Sequence, residues 1–309
     1  MTKRKTPVVR SWHMLTAIIV AVLAAGVGLW AYLQGKNIAV LNPQGPVGLQ
    51  ERNLIVFTLL LSLIVVIPVF IMLGAFAWRY RESNTKAKYT PDFDSNKWLE
   101  GLWWGIPVVI IGILIVVTWV STYQLNPSKS LASTVKPLHV QVIALQWRWL
   151  FLYPDQQVAT LGELKIPPKT PVDFDITADA PMSAFWIPSL GTQTYAMTGM
   201  TSHLNLEADH PGTYRGTNSN INGKGYADMN FTVTVMPSTN DFNAWAKEIP
   251  AEPFHSHLAD DEYAAISKPS TDETVEYFHL HDTNLFNEVL SKYNGDGSMT
   301  TTSNDKSDD

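Results

Sequence analysis

The chain has 309 residues, no cysteine and a formal net charge of −6 at pH 7. The lack of cysteine excludes disulfides, thiolate metal sites and lipidated cysteine together. The charge is unevenly divided, with a net +6 over residues 1–121 and a net −12 over residues 122–309, so the second half is an acidic domain with no basic patch for nucleic acid.

In chain order, Lys3, Arg4, Lys5 and Arg10 precede an uncharged run from Met14 to Leu33. A charged start followed by an apolar stretch is either a cleaved signal or a retained transmembrane helix, and both readings of residues 1–35 stay open. Residues 36–53 then read as an exterior loop. Two longer uncharged runs follow, Leu54 to Trp78 and Gly101 to Gln124. Each is near the roughly 20 residues that a helix needs to cross a hydrocarbon core about 30 Å thick. The loop between them, residues 79–97, carries Arg79, Arg81, Lys86, Lys88 and Lys97, and short basic loops stay on the cytoplasmic side. Residues 54–124 therefore predict a transmembrane helical hairpin set in lipid, with everything beyond Gln124 outside. Trp78, Trp98, Trp103, Trp104, Trp119 and Tyr123 lie near the run ends, at headgroup level for amphipathic rings. Pro68 and Pro107 fall within the spans, where neighbouring helices take up the freed backbone groups.

Residues 125–238 change period. Val172, Phe174 and Ile176 alternate with Asp173, Asp175 and Thr177, and Phe231, Val233 and Val235 alternate with Thr232 and Thr234. Leu204 and Leu206 flank Asn205 in the same way, and such alternation marks strands with one buried face. The more continuously apolar stretch His139 to Leu152 reads as one strand buried on both faces. Pro167-Pro168, Pro188-Ser189, Pro211-Gly212 and Gly223-Lys224-Gly225 punctuate these strands, which favours an antiparallel sandwich or barrel. Residues 239–293 hold two weaker segments: Asp241 to Lys247, and Glu273 to Tyr293, where Tyr277, Phe278, Leu285, Phe286, Val289 and Leu290 recur at helical spacing. Residues 294–309 have the polar composition of a disordered tail.

This order of parts resembles subunit II of the haem-copper respiratory oxidases. The stretches NPQGPVGLQERNLI, FAWRYRESNTKAKYTPDFDSNK, LQWRWLFLYPDQQVAT, FWIPSLGTQTYAMTGM and PGTYRGTNSNINGKGYADMNFTV are similar to the ubiquinol oxidase branch, from about Leu41 to Tyr293. The resemblance implies a cupredoxin-like sandwich in the periplasm of a bacterium with the hairpin in its inner membrane. It also implies a chain that is one subunit of a proton-translocating oxidase. Haem, copper and ubiquinol would then be held by the partner, the haem-bearing subunit I, and cytochrome c would not be a partner.

In the cytochrome c branch the sandwich holds paired copper through two thiolates, two imidazoles, a thioether and a backbone carbonyl, because soft sulfur donors suit that metal. The resemblance places Ser183 at the first histidine, Asn218 and Asn222 at the two cysteines, Asn220 at the carbonyl donor and Tyr226 at the second histidine. Only Met229 keeps a ligand type, so the expectation is a vacated site and a chain that binds no cofactor of its own. Glu100, at the cytoplasmic mouth of the second run, matches a glutamate at a proton entrance in related oxidases, where a carboxylate can collect protons. Its plainer role is to favour a helix N-terminus.

Trp147, Arg148 and Trp149 in QWRW are expected either in the core or at an interface with the haem subunit. His203 and His210, near Met197 and Met200, read as solvated or hydrogen-bonded histidines rather than copper ligands. His279 and His281 have metal-like spacing only if their segment is extended. A menaquinol-using relative and a free-standing membrane-anchored cupredoxin-like module remain the alternative functions.

Overall fold

The computed structural model describes residues 38–85, 95–251 and 260–294 together with Gly28, Thr90 and Leu258. Apart from Gly28, the Met14 to Leu33 run lies outside the described residues, as do residues 295–309 of the expected tail. Residues 38–42 close a turn through Leu41 N donating to Ile38 O at 2.9 Å, within an N-terminal unit that ends at Asn42. The remaining elements belong to a second unit that starts at Pro43.

Proline tolerates the first helical turn because its missing N–H would be unpaired there. Accordingly helix α1 spans Pro46–Arg79, with Gly45 as N-cap. Its start corrects the expected exterior loop 36–53, because the helix begins eight residues before the apolar run. At about 1.5 Å per residue, its 34 residues reach about 50 Å, longer than a hydrocarbon core. The turns holding Gln50, Glu51, Arg52 and Asn53 therefore form a stalk rather than a loop. Helix α2 spans Lys97–Gln124 and is capped by Asn96, whose side chain accepts from Trp98 N and Leu99 N. Both helices are long and apolar enough to cross a membrane.

The stalk is seated in the β domain. Gln44 N donates to Ser189 O at 2.6 Å, Gly48 N to Leu190 O at 2.9 Å, and Asp209 N to Gln44 O at 2.8 Å. A Cβ on Gly45 would lie 2.0 Å from Glu207 O, so only glycine permits this approach.

The β domain has two layers. The first sheet is ordered β11-β3-β2-β1-β5-β8 and the second β4-β10-β9-β6-β7, with β1 Leu138–Ala144, β2 Trp149–Tyr153, β3 Val158–Leu161, β4 Glu163–Ile166, β5 Val172–Ala178, β6 Ser183–Trp186, β7 Thr194–Ala196, β8 Ser202–Leu206, β9 Gly212–Asn218, β10 Asn230–Val235 and β11 Glu276–His279. The alternating residues face inward as expected. Phe185 and Phe231 stack at 5.1 Å with an interplanar angle of 9°, and Trp149, Phe151 and Phe174 surround them.

Three expectations are corrected. The pairings β1–β5 and β4–β10 are parallel, so the sandwich is not purely antiparallel; the crossovers between these strands are long enough for that. The stretch His139 to Leu152 is two antiparallel strands rather than one. The break is a turn in which Leu145 N donates to Arg148 O at 2.9 Å and Trp147 adopts φ 74°, a left-handed conformation that an apolar tryptophan does not advertise. The segment Glu273 to Tyr293 is a strand followed by a helix: β11 pairs with β3, and the helix begins only at Leu285.

The C-terminal extension comprises α3 Thr239–Ala251, α4 Asp260–Ile266, β11 and α5 Leu285–Asn294. Asn294, expected in the tail, ends that last helix. Helix α3 is capped by Ser238, whose Oγ accepts from Asp241 N at 3.2 Å and donates to Asp241 Oδ2 at 2.7 Å. It buries Phe242, Trp245 and Ile249 in the main core. Phe278, Leu280, Leu285, Phe286 and Val289 form a second core with Ile143, Leu145, Leu150, Leu152 and Leu161 on the outer face of the first sheet. Those residues explain why the QWRW region is apolar on both faces.

Candidate functional site

Of the six residues that the resemblance aligned with copper ligands, Ser183, Asn218, Asn220, Asn222 and Met229 lie together at one end of β6 and β9 and in the loop after β9, while Tyr226 stands apart. Ser183 opens β6 and is fully buried, and Met229 lies at 0% exposure before β10. Asn222 Nδ2 donates to Ser183 Oγ at 2.8 Å and lies 3.7 Å from Met229 Sδ, while Ser183 Oγ donates to Pro181 O at 3.3 Å.

Asn218 is the centre of the loop. Its Oδ1 accepts from Ala184 N at 2.9 Å and from Asn220 N at 3.0 Å, and its Nδ2 donates to Asn220 O at 2.8 Å. Asn220 Nδ2 reaches on to Met182 O at 2.8 Å. Tyr226 sits on a short 3-10 turn and faces outward, 37% exposed, so it joins none of these contacts. Amides and a hydroxyl thus satisfy one another where soft donors would be required.

This donor set does not fit paired copper: it offers one thioether, neutral amides, a hydroxyl and an outward phenol, with no thiolate or imidazole. Asn222 Oδ1 is the one buried oxygen of the group with no hydrogen-bond partner among the described residues, and a single amide oxygen beside a thioether makes a poor metal site. Among the described residues, no group of three or more His, Asp or Glu side chains is arranged to hold a metal ion.

The three QWRW residues separate. Trp149 has no exposed surface and donates Nε1 to Met229 O at 3.4 Å, which makes it a core residue beneath the amide cluster and leaves nothing for a partner to touch. Arg148 is largely buried. It lies in the turn, and its Nη2 donates to Glu276 Oε1 and to Thr274 O, both at 2.9 Å, so its charge is spent on the C-terminal extension. Trp147 is half-buried and packs against Gly223 and Gly225 of the loop.

Glu100 is in the first turn of α2, where Asn96 N donates to its Oε1 at 3.3 Å. That contact closes the cap from both sides, so the helix-start role is present in the geometry. His203 Nδ1 and His139 Nε2 share Asp175, at 2.6 and 2.9 Å. The hydrogen bond from His139 holds the Asp175 carboxyl below its ordinary range, and the same bond raises His139. His279 lies on a strand and its ring centroid is 6.2 Å from that of His281.

Sequence reasoning missed the polar fasteners of the extension. Asp179 accepts from Tyr263 OH at 2.8 Å, Lys292 Nζ at 2.7 Å and Tyr293 OH at 2.5 Å. Burial works to raise its pKa, yet these donors outweigh burial and hold the carboxyl low. Glu163 accepts from Tyr277 OH and, at 2.7 Å, from Thr234 Oγ1. Sequence separations of 71 to 114 residues hide these pairs from any local pattern.

Two family models match the chain: "Cytochrome C oxidase subunit II, periplasmic domain" over residues 157–236 and "COX Aromatic Rich Motif" over residues 255–297. The chain is 42% identical over 265 residues to cytochrome bo(3) ubiquinol oxidase subunit 2 of Pseudomonas aeruginosa, covering 86% of this chain and 79% of the relative. It is 42% identical to ubiquinol oxidase subunit 2 of Acetobacter aceti, covering 85% of each. Against quinol oxidase subunit 2 of Bacillus cereus it is 37% identical, covering 76% of this chain and 80% of the relative.

Proposed function

Because the chain belongs to the ubiquinol oxidase subunit II family of the haem-copper oxidases, we propose that it serves as the non-redox subunit II of a quinol oxidase. The oxidase passes electrons from ubiquinol to oxygen. The observation that carries the non-redox reading is the hydrogen-bonded network of Ser183, Asn218, Asn220 and Asn222, which puts amides and a hydroxyl at the aligned ligand positions in place of soft donors. Electrons therefore enter the complex without passing through this sandwich. Quinol oxidation, haem and copper belong to the large partner subunit. This chain contributes its two helices, its stalk-mounted periplasmic domain and the cover that domain lends to the partner, in a bacterial inner membrane.

Glu100 is proposed as a proton-collecting carboxylate at the cytoplasmic end of α2. A carboxylate at the membrane edge exchanges protons with the aqueous side, and its place in the first helical turn keeps it at that edge. Glutamine keeps an oxygen acceptor for Asn96 N in place of the carboxylate but removes the ionisable group. Glu100→Gln is therefore expected to leave assembly intact and to lower proton translocation per oxygen consumed.

The test of the whole reading is purification of the native assembly with metal, haem and quinone analysis. Haem and copper should account for the large subunit alone, with ubiquinol present. Copper bound to the separated full chain in a one- or two-to-one ratio, with a near-infrared band, would overturn it.

A further inference from the structure

In a copper-bearing sandwich, ligand bonds would pin the loop that follows β9. Here that loop, Asn218 to Tyr226, needs another anchor: its tip carries Ile221, 75% exposed, and the amide network holds only its first half. The second half, Gly223-Lys224-Gly225, lies on the ring of Trp147. A Cβ on Gly225 would come within 2.4 Å of the indole Cδ2 and 2.7 Å of Thr271 Cγ2, and one on Gly223 within 3.1 Å of the indole. Glycine at 225 is thus set by close approach, and the atoms that approach belong to two different parts of the chain.

Trp147 itself is held in a costly state. Its φ of 74° is a left-handed conformation that a bulky residue keeps only when its surroundings over-determine it. The surroundings come from the C-terminal extension: Ser270 N donates to Gln146 O at 3.2 Å, Thr271 touches the same glycine, and Arg148 on the other side bonds Thr274 O and Glu276. One turn is therefore clasped by the extension before and after the tryptophan, and the tryptophan supports the loop.

We propose that the aromatic-rich C-terminal extension is the loop's replacement anchor, acting through the Trp147–Gly225–Thr271 contact to fix the segment that metal bonds would otherwise hold. Trp147 is a positioning residue in this arrangement, and the outward tip with Ile221 and Tyr226 is presented in one conformation as a result. The proposal rests on the reading that the loop carries no metal.

Hydrogen exchange of the full chain within the detergent-purified oxidase tests it, with metal analysis of the same samples. Thr271→Gly trims a surface side chain at the contact and leaves both cores alone. Amides 219–226 should exchange about fivefold faster, as expected for loss of a local closing contact, while amides of β1 and β5 keep their rates. The double variant Tyr263→Phe with Lys292→Gln removes two donors from Asp179 and touches neither loop nor tryptophan. It should loosen the extension and speed the loop by a similar factor. Unchanged loop rates in Thr271→Gly, or a loosened extension beside an unchanged loop, would overturn the anchor. Copper found in the wild-type chain would instead overturn the metal-free reading beneath it, so the two failures are distinguishable.

Discussion

Replacing Asn218 by alanine isolates the amide network at the end of β6 and β9. The substitution removes three hydrogen bonds, from Ala184 N, from Asn220 N and to Asn220 O. Each is worth about 1 kcal/mol net, and a donor left buried without a partner costs about 1–3 kcal/mol. Ala184 is 1% exposed, so its N–H has no water to turn to, whereas Asn220 is only half-buried and can rehydrate. The sum is about 2–4 kcal/mol, a large share of the roughly 5–15 kcal/mol that stabilises a typical protein. At about 2–4 °C per kcal/mol for a domain of this size, the thermal midpoint should fall by roughly 5–15 °C. Thermal and urea unfolding of the detergent-solubilised chain, followed by tryptophan fluorescence from the adjacent Trp149, reads this directly. Asn222→Ala is the internal comparison. It removes one good hydrogen bond and one long contact to sulfur, for about 1 kcal/mol. A cost below about 0.5 kcal/mol for Asn218→Ala, or equal costs for the two, would refute the idea that amide pairing centred on Asn218 holds the site together.

Gly216→Ala places a Cβ 2.0 Å from the Phe231 ring and so disrupts the Phe185–Phe231 stack; overpacking of this kind costs about 1–3 kcal/mol, measurable as a lowered urea midpoint at constant slope. A chain ending at Pro237 exposes Ile143, Leu145, Leu150, Leu152 and Leu161. At about 1.5–3 kcal/mol per buried side chain, that loss rivals total stability, so size-exclusion chromatography should show aggregation rather than a folded domain. The His139–Asp175–His203 cluster has Asp173, Asp155 and Lys136 as its charged surroundings. His139 is raised above its ordinary 6.5, so its stabilisation is complete below that pH and fades as pH climbs through the raised value. Asp175 is lowered below 3.8, so its contribution is complete above that pH and fades only as pH drops through the lowered value. The stability gap between wild type and Asp175→Asn should thus be widest between about pH 4 and pH 6.5, and a gap independent of pH would contradict the pairing.

What composition and periodicity determined alone was the large-scale plan. Two uncharged runs of membrane length with a basic loop between them, and period-two alternation at Val172–Ile176 and Phe231–Val235, are local signals of burial. The chemistry of each residue is enough to read them. The candidate site came by another route. The resemblance alone places Ser183, Asn218, Asn222 and Tyr226 where the copper-bearing branch has imidazoles and thiolates, and none of these side chains is a soft donor. Tertiary structure alone decided what those residues do instead. Asn218 pairs with Ala184 across 34 residues, Arg148 with Glu276 across 128, and Trp147 turns left-handed because the extension and the loop close on it. None of these contacts leaves a periodic trace, since a hydrogen bond or a clasped ring depends on which distant atoms fold into reach. The same cause misled the reading of His139 to Leu152 and of Glu273 to Tyr293: each is apolar toward a partner that lies far away in sequence, and only folding brings that partner alongside.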